Sequence, residues 1–74
     1  MRTYLEIYVN SEGSCPSVIQ NQLLDLGFKA TQGNYDFVYE WEKETDDIEE
    51  LIWFADKVQR MLKGHHVFFK IETI

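Results

Sequence analysis

The sequence predicts an α+β fold in which strands and helices follow one another as β-α-β-β-α-β. Three observations carry this reading. Stretches at Thr3–Val9, Asp36–Glu42 and Val67–Glu72 alternate polar and apolar side chains with the period of a strand. Two other stretches place apolar residues at helical spacing, and each is followed by a glycine. The chain has 74 residues, 45% hydrophobic and 15% aromatic, which is enough for one core and too little for two. A single domain over 1–74 follows, with no low-complexity linker, since there are only one Pro and four Gly.

The elements follow in order. In the first strand Leu5, Ile7 and Val9 point one way, and Tyr4, Glu6 and Tyr8 the other. Asn10–Ser14 is a polar loop containing Gly13. Pro16 suits the first turn of a helix, where a missing N–H costs nothing. Ser17 and Gln20 have capping-box spacing and offer an alternative start. Ile19, Leu23 and Leu26 form the apolar face, and Gly27 supplies a left-handed stop. Phe28–Gln32 reads as a short edge strand, and Gly33-Asn34 as a turn. In the next strand Phe37, Tyr39 and Trp41 face opposite to Val38, Glu40 and Glu42. Thr45, Asp46 and Asp47 then offer caps for a second helix, and Asp47 and Glu50 have capping-box spacing. Its stripe is Ile48, Leu51, Ile52, Ala55, Val58 and Leu62, ended by Gly64. In the last strand Val67, Phe69 and Ile71 alternate with Phe68, Lys70 and Glu72. Two split strand-helix-strand units side by side give the ferredoxin-like sandwich: a four-stranded antiparallel sheet, order 4-1-3-2, with two helices on one face.

Composition excludes several functions. The formal charge is −6, and only Lys57, Arg60 and Lys63 group together, so the cationic cluster that nucleic-acid binding needs is missing. From Asp36 to Glu50 there are eight carboxylates and a single Lys43. Such a run is usually a solvated strand end and helix start; its functional reading is a patch for a basic partner or a divalent ion. Cys15 is the only cysteine, so no internal disulfide can form. One core in a chain this small supplies only about 3–5 kcal/mol, which favours oligomerisation or tight packing. Met1–Val9 lacks the apolar run of a secretory leader, and no stretch approaches the ~20 apolar residues of a membrane span. The expected setting is cytoplasmic, with no membrane partner.

Two surfaces are candidates for function. The open sheet face should carry Tyr4, Tyr8, Val38 and Phe68 on adjacent strands, and an exposed apolar patch usually marks a contact. Aromatic sheet faces can stack RNA bases, but Glu40 and Glu42 on the same face repel phosphate. A homodimer or partner interface is the expectation, against a merely amphipathic exposed face. The second surface is one end of the sandwich, where the first loop, the middle turn and the connection before the last strand converge. There Cys15 could approach His65 or His66 as zinc or copper ligands, or serve as a nucleophile lowered in pKa by the helix start with His66 as base. The spacing lacks CxxC and HxxxH, and the plainer reading is a small helix-start residue and two loop histidines. The same helix start could bind an anion through backbone N–H groups. Trp53, with Lys57 one turn later, is a boundary residue covering the core or, if exposed, a docking anchor.

The second half resembles a known family. Gly33-Asn34-Tyr35-Asp36-Phe37 opens a strand, Asp46-Asp47-Ile48-Glu49-Glu50-Leu51 opens an acidic helix, and Gly64 precedes a strand with Val67 and Thr73. This looks like the effector-binding (RAM) domain of Lrp/AsnC regulators, over roughly residues 27–74. The ACT domain is similar in topology. The resemblance implies a ferredoxin-like fold that dimerises through its sheets and binds amino acids between subunits, with Gly33, Tyr35 and Asp36 by the ligand pocket. His65 and His66 interrupt the family's Gly-Val step, and there is no helix-turn-helix. The expectation is therefore a non-enzymatic ligand-binding or regulatory module without a cofactor, homodimeric and binding an amino-acid-like molecule. The alternative is a metal- or thiol-dependent protein using Cys15, His65 and His66.

Overall fold

A computed structural model describes residues 1–74 except Asn34, Lys43 and Thr45. The elements are β1 (Arg2–Tyr8), α1 (Pro16–Leu26), β2 (Lys29–Ala30), β3 (Phe37–Glu40), α2 (Ile48–Leu62) and β4 (Phe68–Thr73). The strands form one antiparallel sheet in the order β2-β3-β1-β4, which is 4-1-3-2 counted from the other edge.

Alternation decides which side chains the helices cover. Leu5 lies opposite both Phe37 and Ile71, Thr3 opposite Tyr39 and Thr73, and Ile7 opposite Phe69. Leu5 joins the buried Ile19 and Leu23 of α1 and Phe54, Val58 and Leu62 of α2 in a single core cluster, with Ile7, Phe37, Tyr39, Phe69 and Ile71 packed against it. The buried hydroxyl of Thr3 is satisfied inside that core: it meets the Thr73 hydroxyl at 2.8 Å and accepts the Trp41 indole N–H at 2.8 Å. Each partner thus removes the cost of burying the other's polar atom.

Several boundaries differ from the expected ones. β1 ends at Tyr8, which leaves Val9 outside the strand and half exposed. β2 keeps only Lys29 and Ala30, because Phe28 is drawn into the core at 2% exposure. β3 runs from Phe37 to Glu40; Trp41 lies beyond it but still donates its backbone N–H to the Met1 carbonyl at 3.0 Å. Helix α1 starts at Pro16 with Cys15 as its N-cap, so Ser17 lies inside the helix. Gly27 stops it with φ +113, as its N–H and that of Phe28 return to Leu24 and Leu23. Helix α2 is capped by Asp47, whose carboxylate accepts the Glu49 N–H at 3.0 Å. Of the other expected turn and cap positions, Asn34 and Thr45 lie outside the described residues.

The buried stripe of α2 is rotated from the expected one. Ile48 and Ile52 are exposed, and Phe54 takes the central place, with Met61 partly buried beside it. Phe54 sits 4.6 Å from the Tyr39 ring centroid, 5.1 Å from Trp41 and 5.8 Å from Phe28. The aromatic row of β3 determines which side of this broadly apolar helix turns inward.

Candidate functional site

The end of the sheet where β1 leaves and β3 begins carries a small cleft. Its cause is the shortness of β3. Pairing between β1 and β3 stops at Leu5 and Phe37, so the next β3-facing N–H of β1, that of Ile7, has no strand opposite it. The carboxylate of Asp36 accepts that N–H at 2.8 Å, while the Asp36 N–H donates to the Leu5 carbonyl at 2.9 Å. A side chain thus replaces the missing backbone acceptor and is held at the cleft rim.

Ile7, Val9, Pro16, Ile19 and Phe37 form apolar walls there. Gln20 and Asp36 supply the polar groups. The cavity is about 280 Å³. Pockets for drug-sized ligands run from about 300 to 1,000 Å³, so this one suits only a small molecule. The start of α1 lies on its wall through Pro16. That first turn has no acidic residue, and Cys15 makes no side-chain cap. The positive end of the helix dipole therefore keeps its field at the cleft.

The other residues singled out by resemblance separate from Asp36. Tyr35 lies over Tyr4 on the open face, with ring centroids 4.8 Å apart, and donates its hydroxyl to the Glu72 carboxylate. That carboxylate holds the Tyr35 phenol above the usual tyrosine range. Gly33 is exposed, with φ +102 and open space where a Cβ would stand.

The first loop and the connection before β4 do converge. The Ser14 N–H donates to the His65 carbonyl at 3.1 Å, and the Ser14 hydroxyl meets His65 Nδ1 at 2.6 Å. This contact uses His65 as a structural partner of the loop. Cys15 is exposed at the helix start, and His66 is exposed with φ +56. Among the described residues no three His, Cys, Asp or Glu side chains gather in a way that could hold a metal ion, so Cys15, His65 and His66 do not form such a group.

On the open face, Tyr8 lies directly opposite Phe68, and they are 55% and 74% exposed. Tyr4 lies opposite Val38, and both are half-buried. Between these two apolar spots sits Glu6 opposite Lys70. The patch is therefore divided. The Tyr8 hydroxyl donates to Glu6 at 2.6 Å, and that carboxylate raises the Tyr8 phenol above its ordinary range. Arg2 and Glu40 pair at 3.4 Å at the far end.

Sequence reasoning missed Gln20 and the apolar cleft walls. The one available signal was Asp36 itself, a charged residue placed just before a strand whose partner strand runs on.

No helix among the described residues is long and apolar enough to cross a membrane. A scan against protein-family models, a search of the curated proteins and a search of the solved structures each return no match.

Proposed function

We propose that the chain is a ferredoxin-like, non-enzymatic binding module that pairs with a second copy of itself through the open sheet face. The carrying observation is the exposed Tyr8–Phe68 pair on a face of balanced charge. Its strand residues include Arg2, Lys29 and Lys70 against Glu6, Glu40 and Glu72, three of each sign, on a chain of net charge −6. The excess acid thus lies elsewhere. A face that is neutral, mixed and partly aromatic can meet its own copy with little repulsion, as a two-fold interface requires.

Sedimentation of the wild type is expected to give twice the 8.8 kDa chain mass. Phe68→Asp, which places like charges across the axis of such a dimer, is expected to give the monomer with its fold intact by circular dichroism. A wild type that remains monomeric at its highest soluble concentration removes the dimer.

A specific ligand class fits the cleft beside Asp36. An amino-acid-like zwitterion would place its ammonium at the Asp36 carboxylate and its carboxylate at the start of α1. The resemblance to the RAM domain likewise implies Asp36 beside a ligand, but between subunits and together with Gly33 and Tyr35, which do not line this cleft. A metal or thiol reading of Cys15, His65 and His66 has less support, since His65 Nδ1 is engaged by Ser14.

In a thermal-shift screen of the proteinogenic amino acids, at least one at 100 times its Kd should add about 2.7 kcal/mol. Each kcal/mol raises the melting temperature of a domain this size by roughly 4–8 °C. Asp36→Asn keeps an acceptor for the Ile7 N–H but loses the charge, and should abolish the ligand shift. A flat response of the wild type to every amino acid would falsify this assignment.

A further inference from the structure

A second concavity, of about 550 Å³, lies between the end of β3 and the first turns of α2. It belongs to neither the open face nor the Asp36 cleft. Three aromatic residues, Tyr39, Trp41 and Trp53, line it together with two carboxylates, Glu42 and Glu50. We propose that this groove binds an alkylammonium cation between the aromatic rings and the two carboxylates.

The chemistry of the lining selects the ligand. Aromatic faces are negative and attract cations, most strongly for Trp. The chain already shows the attraction: the Lys57 ammonium lies 5.1 Å from the Trp53 ring centroid. Trp53 is 55% exposed, so its ring remains accessible. Trp41 is fixed in place by its hydrogen bond to Thr3 and by edge contacts with Tyr39 at 5.6 Å and Phe54 at 5.1 Å. One wall of the site is therefore preorganised.

Charge points the same way. Glu42 and Glu50 bring two negative charges, against the Lys57 ammonium on Trp53 and roughly half a positive charge from the start of α2. A hard metal ion is the poorer fit, because it takes six or more oxygen ligands and gains nothing from ring faces. An anion or a neutral apolar molecule would meet two carboxylates with no matching charge.

Nitrogen-resolved NMR of the two indole N–H groups tests this. Choline and a short peptide bearing trimethyllysine are titrated beside dimethylbutanol, the uncharged isostere of choline. The cation is expected to shift the Trp53 indole saturably, with the isostere about fivefold weaker or more. Tighter binding of the peptide than of choline identifies a protein side chain as the source; the reverse identifies a free small molecule. Trp53→Leu, at an exposed position, should leave the melting temperature near wild type and weaken the cation by about fivefold. No saturable shift with either cation, equal binding of the isostere, or unchanged affinity in Trp53→Leu overturns the proposal. None of these readouts depends on dimerisation or on Asp36.

Discussion

Replacing Phe54 by Ala is expected to leave about half of the protein unfolded. Phe54 is 5% exposed and touches the rings of Tyr39, Trp41 and Phe28, so it joins α2 to β3 and to the residue that precedes β2. Truncating a buried Phe to Ala costs about 3–5 kcal/mol, through lost transfer energy and the cavity left behind. A domain of this length rarely has more than about 3–5 kcal/mol in total. The two figures nearly cancel. Phe54→Leu keeps much of the apolar volume but loses the ring contacts, and should fall between Phe54→Ala and wild type. Urea denaturation followed by far-ultraviolet circular dichroism compares the variants. A Phe54→Ala protein within 1 kcal/mol of wild type would mean that the aromatic cluster does not hold the helix to the sheet.

The second large effect is expected at Gly13, where a methyl group has nowhere to go. A Cβ there would stand 2.3 Å from the His65 carbonyl oxygen and 2.9 Å from the His66 Cβ. Both obstacles are close to the backbone, so no flexible side-chain tip can move aside. The first loop and the 64–66 connection would have to part, and the bond from the Ser14 N–H to the His65 carbonyl would go with them. Overpacking of this kind costs about 1–3 kcal/mol and a lost hydrogen bond about 1 kcal/mol. Gly13→Ala should therefore lower stability by about 2–4 kcal/mol. It should also remove hydrogen-exchange protection from the Ser14 amide while the β1–β4 amides keep theirs. An unchanged urea midpoint would show that the two segments are not in contact in solution.

How much of this could be read from the sequence depends on the kind of signal. The first and last strands, expected at Thr3–Val9 and Val67–Glu72 and found at Arg2–Tyr8 and Phe68–Thr73, were legible because a period of two leaves only one way to face the core. The inner set Leu5, Ile7, Phe37, Tyr39, Phe69 and Ile71 follows directly. The orientation of α2 was legible only in part: Val58 and Leu62 of the expected stripe are buried, but Phe54 was not in it. Its apolar residues run around most of the helix, so Ile48 and Ile52 competed with Phe54 and Met61 on equal terms. Contact with Tyr39 and Trp41 decided between them, and that contact is tertiary. The Asp36 cleft was hidden for a similar reason. Alternation places Asp36 on the strand's outer face, but the pairing ends one residue later at Phe37, and the freed carboxylate turns to the Ile7 N–H. The convergence of the first loop on His65 was anticipated from topology alone. That it would be made by Ser14 rather than Cys15 depends on a single residue's offset from the helix start.

One rung of the sheet has a kinetic consequence. Arg2 and Ile74 exchange both backbone hydrogen bonds, at 3.0 and 2.9 Å, so the two ends of the chain lie side by side. The β1–β4 ladder that continues from them is therefore built from the most distant parts of the sequence. Loop-closure entropy must be overcome before that ladder returns any stabilisation, and such long-range pairings slow folding. A short linker from Ile74 to Met1, with the chain reopened at another surface turn, would convert the same ladder into a local hairpin. The native contacts would be unchanged, but their contact order would fall, and the circular permutant would reach the same sheet by a faster route.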